Sequence, residues 1–186
     1  GRVTRDTQKL MERLSIDERL YATPVPRASQ REVLLKAARE HFQHGKFEVA
    51  RQEYEEFLTT THLPSDVDYQ TAWYQLAVTH EQLHAPIDAT KSFLNYLRAA
   101  IATPPLHYER LQAALKYTAR HPGPDHAEQG LRHLFTAIAM LDIPKTMKSE
   151  FLFITALAAA RTGMSAEAAR WLGAVADMDE APAPTD

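Results

Sequence analysis

The sequence predicts an all-α fold. Its eleven prolines lie where helices would end, at positions 24, 26, 64, 86, 104, 105, 122, 124, 144, 182 and 184. Proline lacks the amide donor of a helix and clashes with the preceding turn, so it marks helix boundaries. Between the prolines, no segment alternates apolar and polar residues for long enough to indicate a strand. We therefore expect a succession of helices and no sheet.

The composition limits the class of protein. A chain of 186 residues with 45% hydrophobic residues fits one packed domain, or at most two. A net charge of −3 argues against general binding to nucleic acids or anionic membranes. The absence of cysteine excludes disulfides and thiolate zinc sites. The longest apolar run is shorter than the ~18 residues of a membrane span, so we expect no membrane insertion. We also expect no cofactor.

Eight helices are predicted after residue 28. Gly45 separates the first two, Ser65 caps the third, and Pro86 suits the first turn of the fourth. The predicted helices span residues 30–44, 46–61, 66–84, 86–102, 106–120, 125–141, 146–162 and 165–177.

The stretch 66–102 carries the clearest pattern. Two amphipathic helices there place large and small residues in a fixed order: Trp73, Leu76, Ala77 and His80, then Ala89, Phe93, Tyr96 and Leu97. This order resembles the tetratricopeptide repeat, a helix–turn–helix unit. The small residue Ala89 has counterparts at Ala50, Ala127 and Ala168, at intervals of 39, 38 and 41 residues. These intervals are longer than the family period of ~34 residues.

The resemblance implies an α-solenoid of about four helix hairpins over residues 29–178. Residues 1–28 would form an N-terminal helical cap and linker, since stacked repeats need their terminal apolar face covered. Residues 179–186 are acidic and rich in proline, so we expect a disordered tail. GKFEVA (45–50) and GMSAEA (163–168) repeat one turn, whereas HPGP (121–124) replaces that turn in the third unit. In the second unit, His84 takes the place of the turn glycine.

The resemblance also implies a function. In the family, the first helix of each pair lines a concave groove that binds a segment of another protein. Carried over by register, the groove residues here are Arg39, Phe42, Gln43, Tyr74, Glu81, Gln82, Lys116, Arg120, Phe153 and Arg161. We expect a non-catalytic scaffold or adaptor that binds a partner segment of acidic character. Leu35 and Arg39 stand where the chaperone-binding members carry Lys and Asn, so a chaperone C-terminal peptide is not the expected ligand.

Two alternatives come from the same residues. His80, Glu81 and His84 form an HExxH pattern, in which two histidines on one helix face would bind zinc and the glutamate would act as general base. That pattern would make the protein a zinc-dependent hydrolase. The competing interpretation makes His80 a packing residue and His84 a solvated residue at the helix end. The other alternative is a regulatory domain of a larger protein.

One junction suggests a cellular setting. The phrase YEEFLTTTHLPSDVDYQTAWYQLAVTHEQL (54–83) is similar to the repeat junctions of bacterial envelope members of the family, including outer-membrane assembly and Tol-associated proteins. The resemblance favours the periplasm over the cytoplasm and an envelope or secretion assembly as the context. The oligomeric state is left open.

Overall fold

The computed structural model describes residues 27–60 and 66–180. Within these ranges the chain forms eight α-helices and no strand, which confirms the all-α prediction there. The helices are α1 (Arg27–Gln43), α2 (Phe47–Thr59), α3 (Val67–Gln82), α4 (Pro86–Ile101), α5 (Tyr108–Arg120), α6 (Ala127–Ala139), α7 (Lys145–Arg161) and α8 (Ser165–Glu180). The cap predicted over 1–28 lies almost entirely outside the described residues.

Most helix bounds differ from the predicted ones by one to three residues, and two of these differences have an identifiable local cause. Asp66, rather than Ser65, caps α3, and its carboxylate accepts the backbone N–H of Asp68 at 2.9 Å. Helix α8 continues to Glu180, so the first two residues of the predicted tail, 179 and 180, are helical. The Ser149 hydroxyl donates to the Asp179 carboxylate at 2.7 Å and ties the end of α8 to α7. Residues 181–186 lie outside the described part of the chain.

The helices pack in chain order except in the third pair. Helices α1 with α2, α3 with α4, and α7 with α8 form closely packed hairpins, and α2 also packs on α3. The third pair differs, because the main contacts of α5 are with α4 and α7, and those of α6 are with the same two helices. The six-residue link over 121–126 replaces the tight turn of the other pairs, as the HPGP sequence led us to expect.

Small residues allow the helices to approach closely. The four alanines that recur in the sequence are all buried, with exposures of 0% for Ala50, 0% for Ala89, 5% for Ala127 and 2% for Ala168. Around them, large side chains fill two main cores. Tyr54 and Phe57 belong to the core between α1, α2 and α3, and Tyr96 and Leu97 belong to a larger core formed by α3 to α8.

The three tight hairpins share one turn. Lys46, Ala85 and Met164 each donate a backbone N–H to the carbonyl five residues earlier, at 2.8, 2.9 and 3.0 Å. The residue before each donor has a positive φ: +73° at Gly45, +56° at His84 and +92° at Gly163. Left-handed backbone of this kind ends many helices and favours glycine. The prediction that His84 stands in place of a turn glycine is therefore confirmed.

This turn yields a stability prediction. A side chain in the left-handed region costs about 1 kcal/mol relative to glycine. His84 is exposed, so replacing its side chain removes little packing. We expect His84→Gly to raise the free energy of unfolding by about 1 kcal/mol, measured by urea denaturation.

Gly45 in the first hairpin allows the reverse substitution, which serves as the control. A Cβ at Gly45 would meet no atom within 4 Å, so the cost of adding one comes from the backbone alone. Gly45→Ala should lower the free energy of unfolding by about 1 kcal/mol. If both substitutions shift stability in the same direction, the two turns do not share this constraint.

Candidate functional site

A cavity of about 340 Å³ opens between α1, α2, α3 and α5. Helix periodicity places its lining residues three or four positions apart on α1 and α3, so each of these helices turns one edge towards the cavity. The lining residues are Arg39, Phe42 and Gln43 of α1, Tyr54 of α2, Tyr74, Gln75 and Val78 of α3, and Arg110 of α5.

Aromatic rings form the rigid walls of the cavity. Phe42 packs edge-to-face on Phe47 with ring centroids 5.2 Å apart. Tyr74 packs edge-to-face on Tyr96 at 5.1 Å and on Phe93 at 5.6 Å. Because these rings are fixed by their neighbours, the apolar walls need little reordering to receive a ligand.

The tyrosines of the cavity are neutral at physiological pH. Burial raises the pKa of Tyr54 to about 12, against a smaller opposing effect of Arg39. Burial also raises the pKa of Tyr74, which Arg110 opposes. Their hydroxyls therefore act as hydrogen-bonding groups and not as bases near neutral pH.

Two guanidinium groups border the cavity. Arg39 Nε donates to Gln75 Oε1 at 3.3 Å, and Arg39 Nη2 lies 3.8 Å from Asp68 Oδ1. Arg110 lies over the Tyr74 ring, with Cζ 5.5 Å from the centroid, and its Nη1 donates to Thr71 Oγ1 at 3.4 Å. The contacts of both arginines to oxygen are long, so each guanidinium keeps donors for a further partner.

Four of the ten groove residues predicted from the sequence line this cavity: Arg39, Phe42, Gln43 and Tyr74. The other six, which do not line it, are Glu81, Gln82, Lys116, Arg120, Phe153 and Arg161. Most of these six are exposed on α3, α5 and α7. Glu81 is half-buried, and burial raises its pKa, while the nearby His121 lowers it.

Sequence reasoning missed Tyr54, Gln75 and Arg110. Tyr54 is 1% exposed, as a core residue is, while its ring still borders the cavity. Arg110 lies on α5, for which the repeat register placed Lys116 and Arg120 towards the groove. The third pair lacks the regular hairpin packing of the others, so their register does not carry over to α5.

The HExxH pattern does not lie on one continuous helix. Helix α3 ends at Gln82, and His84 follows in left-handed backbone, so the four-residue spacing no longer places His80 and His84 on one helix face. His80 is 6% exposed, as expected of a packing residue, whereas His84 is exposed. Within 27–60 and 66–180, no group of three or more histidine and acidic side chains is arranged to hold a metal ion.

His80 instead lies between α2 and α4, beside two adjoining hollows that it shares with Glu55 and Asp88. Its Nε2 is 4.0 Å from Glu55 Oε1. Burial lowers the pKa of His80, and this effect exceeds the opposite influence of Asp88, Glu55 and Glu48. Arg51, which pairs with both glutamates, adds to the lowering.

No protein-family model, curated protein or solved structure matches this chain. The tetratricopeptide resemblance therefore stays a prediction from the residues quoted above. In the part of the chain that the structure describes, no helix is both long and apolar enough to cross a membrane.

His80 predicts a pH dependence of stability. Its pKa is lower in the folded state than the usual 6.5, so the unfolded chain binds the proton more readily. Stability from this group is therefore complete above the unfolded pKa and is lost as pH falls. We expect His80→Phe to flatten the decline in the free energy of unfolding between about pH 7 and about pH 5.

The measurement is urea unfolding at several pH values, read as the slope of stability against pH. The exposed His133 provides the control. His133→Gln should keep the wild-type slope. A slope that is equally steep in wild type and His80→Phe would show that protonation of His80 does not oppose folding.

Proposed function

We propose that this protein is a tetratricopeptide-like α-solenoid that serves as a non-catalytic scaffold or adaptor. The shared turn of three hairpins, the four recurrent buried alanines and the packing of three of the four helix pairs as hairpins support this proposal. The binding site is the cavity between α1, α2, α3 and α5, where a segment of a partner protein inserts a side chain.

The single observation that carries the proposal is the composition of the cavity. Its eight lining residues are arginine, phenylalanine, glutamine, tyrosine and valine. Aromatic and arginine side chains dominate the binding energy of protein interfaces. A volume of about 340 Å³ is within the range of ligand pockets, which begin near ~300 Å³.

The same composition supports binding rather than catalysis. The lining set contains no histidine, carboxylate, lysine or hydroxyl nucleophile other than tyrosine. Since burial raises the pKa of both tyrosines, no lining group is poised to exchange protons near neutral pH.

An envelope or secretion assembly is the proposed setting. The support is the resemblance of residues 54–83 to the junctions of envelope members of the family. The same stretch contributes Tyr54, Tyr74, Gln75 and Val78 to the cavity, so the junction that resembles those proteins also builds the proposed site.

Site-directed photo-crosslinking tests the function. The chain has no cysteine, so a single introduced cysteine carries the probe. Gln43→Cys places it at the exposed rim of the cavity, and Gln52→Cys places it at an exposed position of α2 that does not line the cavity. With benzophenone maleimide in lysate of the source cells, the Gln43→Cys variant should capture one mapped segment of a partner, and the Gln52→Cys variant should not.

A cavity-filling variant completes the test. Val78→Trp in the Gln43→Cys background should abolish capture, because the added ring occupies the space that the partner side chain needs. Circular dichroism would show that the variant remains helical. Capture of the same proteins by both single-cysteine variants, or no capture by either, would contradict a partner site in this cavity.

A further inference from the structure

We infer that the cavity recognises a carboxylate next to an apolar side chain, with the carboxylate held by Arg39 and Arg110. This inference rests on the proposed function and specifies the chemistry of the partner segment. It depends on residues that the repeat register does not select, above all Arg110 and Tyr54.

The residues that line the cavity carry only positive charge. Two of its eight lining residues are arginines and none is acidic. Arg110 is half-buried, and within 27–60 and 66–180 its guanidinium contacts the Tyr74 ring and the Thr71 hydroxyl. A half-buried guanidinium on an aromatic face with only a 3.4 Å bond to oxygen is well placed to bind a carboxylate through two parallel N–H donors.

Arg39 can join the same carboxylate at small cost. Its bond to Gln75 is 3.3 Å long, and its ion pair with Asp68 is 3.8 Å long. The Arg39 and Asp68 side chains are 41% and 54% exposed, and exposed ion pairs of this length contribute little to stability. An incoming carboxylate therefore replaces weak contacts with charge-assisted hydrogen bonds.

The apolar part of the ligand follows from the walls. Phe42, Tyr54, Tyr74 and Val78 present carbon surface to the same space that the two guanidinium groups border. An aromatic or branched aliphatic side chain loses its contact with water there and packs against rings that are already fixed. A segment that offers both groups side by side satisfies the walls and the arginines together.

The test compares two small probes that differ only in charge. N-acetylphenylalanine carries an aromatic ring beside a carboxylate, and N-acetylphenylalanine amide carries the ring alone. Titrated into ¹⁵N-labelled protein, the acid should shift the amide signals of Phe42, Gln75 and Val78. It should bind about tenfold more tightly than the amide, as one charge-assisted contact of a half-exposed site predicts.

A third probe separates two sources of the carboxylate. N-acetyl-glutamyl-phenylalanine amide offers an acidic side chain in place of a chain terminus. Stronger binding of this probe identifies an internal acidic residue of the partner, and stronger binding of N-acetylphenylalanine identifies a C-terminus. Either result supports the inference.

Matched variants assign the effect to the cavity. Arg39→Gln with Arg110→Gln removes two positive charges from its border and should abolish the preference for the acid. Lys116→Gln with Arg120→Gln removes two positive charges from exposed positions of α5 that do not line the cavity, and should leave the preference intact.

The outcomes separate this inference from the proposed function. Equal binding of acid and amide by wild type would overturn the carboxylate inference and leave the partner site standing. A preference that survives Arg39→Gln with Arg110→Gln would overturn the assignment to these arginines. If no probe shifts the cavity signals, the inference fails, and crosslinking by the Gln43→Cys variant decides independently whether a partner segment binds there.

Discussion

The structure depends on one backbone constraint, the reversal of the chain after a helix within three residues. A helix leaves its last carbonyls without partners, and a residue in left-handed backbone lets the following amide reach back to one of them. At Gly45, His84 and Gly163 this closure begins the next helix at once, and the buried alanines Ala50, Ala89 and Ala168 follow five residues later. These reversals set the close pairing of helices in the three hairpins.

Because the turns bring paired helices close together, the side chains at the crossing points must be small or must interdigitate. Alanines meet that requirement along the pairs, and Tyr54, Phe57 and Tyr96 fill the spaces between the pairs. Between α1, α2, α3 and α5, the aromatic rings do not fill the space completely. The cavity beside Phe42 and Tyr74 is that remaining space.

The helices could be predicted because the signals that end them are local. Every observed helix bound lies within three residues of its predicted position, since proline and glycine act on the backbone at their own site. The burial of His80 and the turn at His84 could also be predicted, because both follow from comparison with other units of the same chain. Ser65 was predicted to cap α3, but Asp66 is the cap, and serine and aspartate are equally favoured at that position.

Only four of the eight residues that line the cavity were predicted from the sequence. Arg39, Phe42, Gln43 and Tyr74 line the cavity as predicted. Membership of a regular hairpin was not sufficient, because Glu81 and Gln82 of α3 and Phe153 and Arg161 of α7 lie in equally regular hairpins and do not line it. The directions of the α5 residues Arg110, Lys116 and Arg120 depend on how the third pair is oriented. That orientation results from contacts among helices distant in sequence. A one-position error in register turns a helical side chain by about 100°, and α5 brings Arg110 to the cavity while Lys116 and Arg120 do not line it.

The third pair also has a mechanical consequence. Helices α5 and α6 lie as two struts between α4 on one side and α7 on the other, whereas each regular hairpin meets its neighbour mainly through one helix. Two helices rather than one therefore connect α4 to α7. The angle between the N-terminal four helices and the C-terminal hairpin is therefore set by side-chain packing on both struts. A change in this angle would require α5 and α6 to repack together.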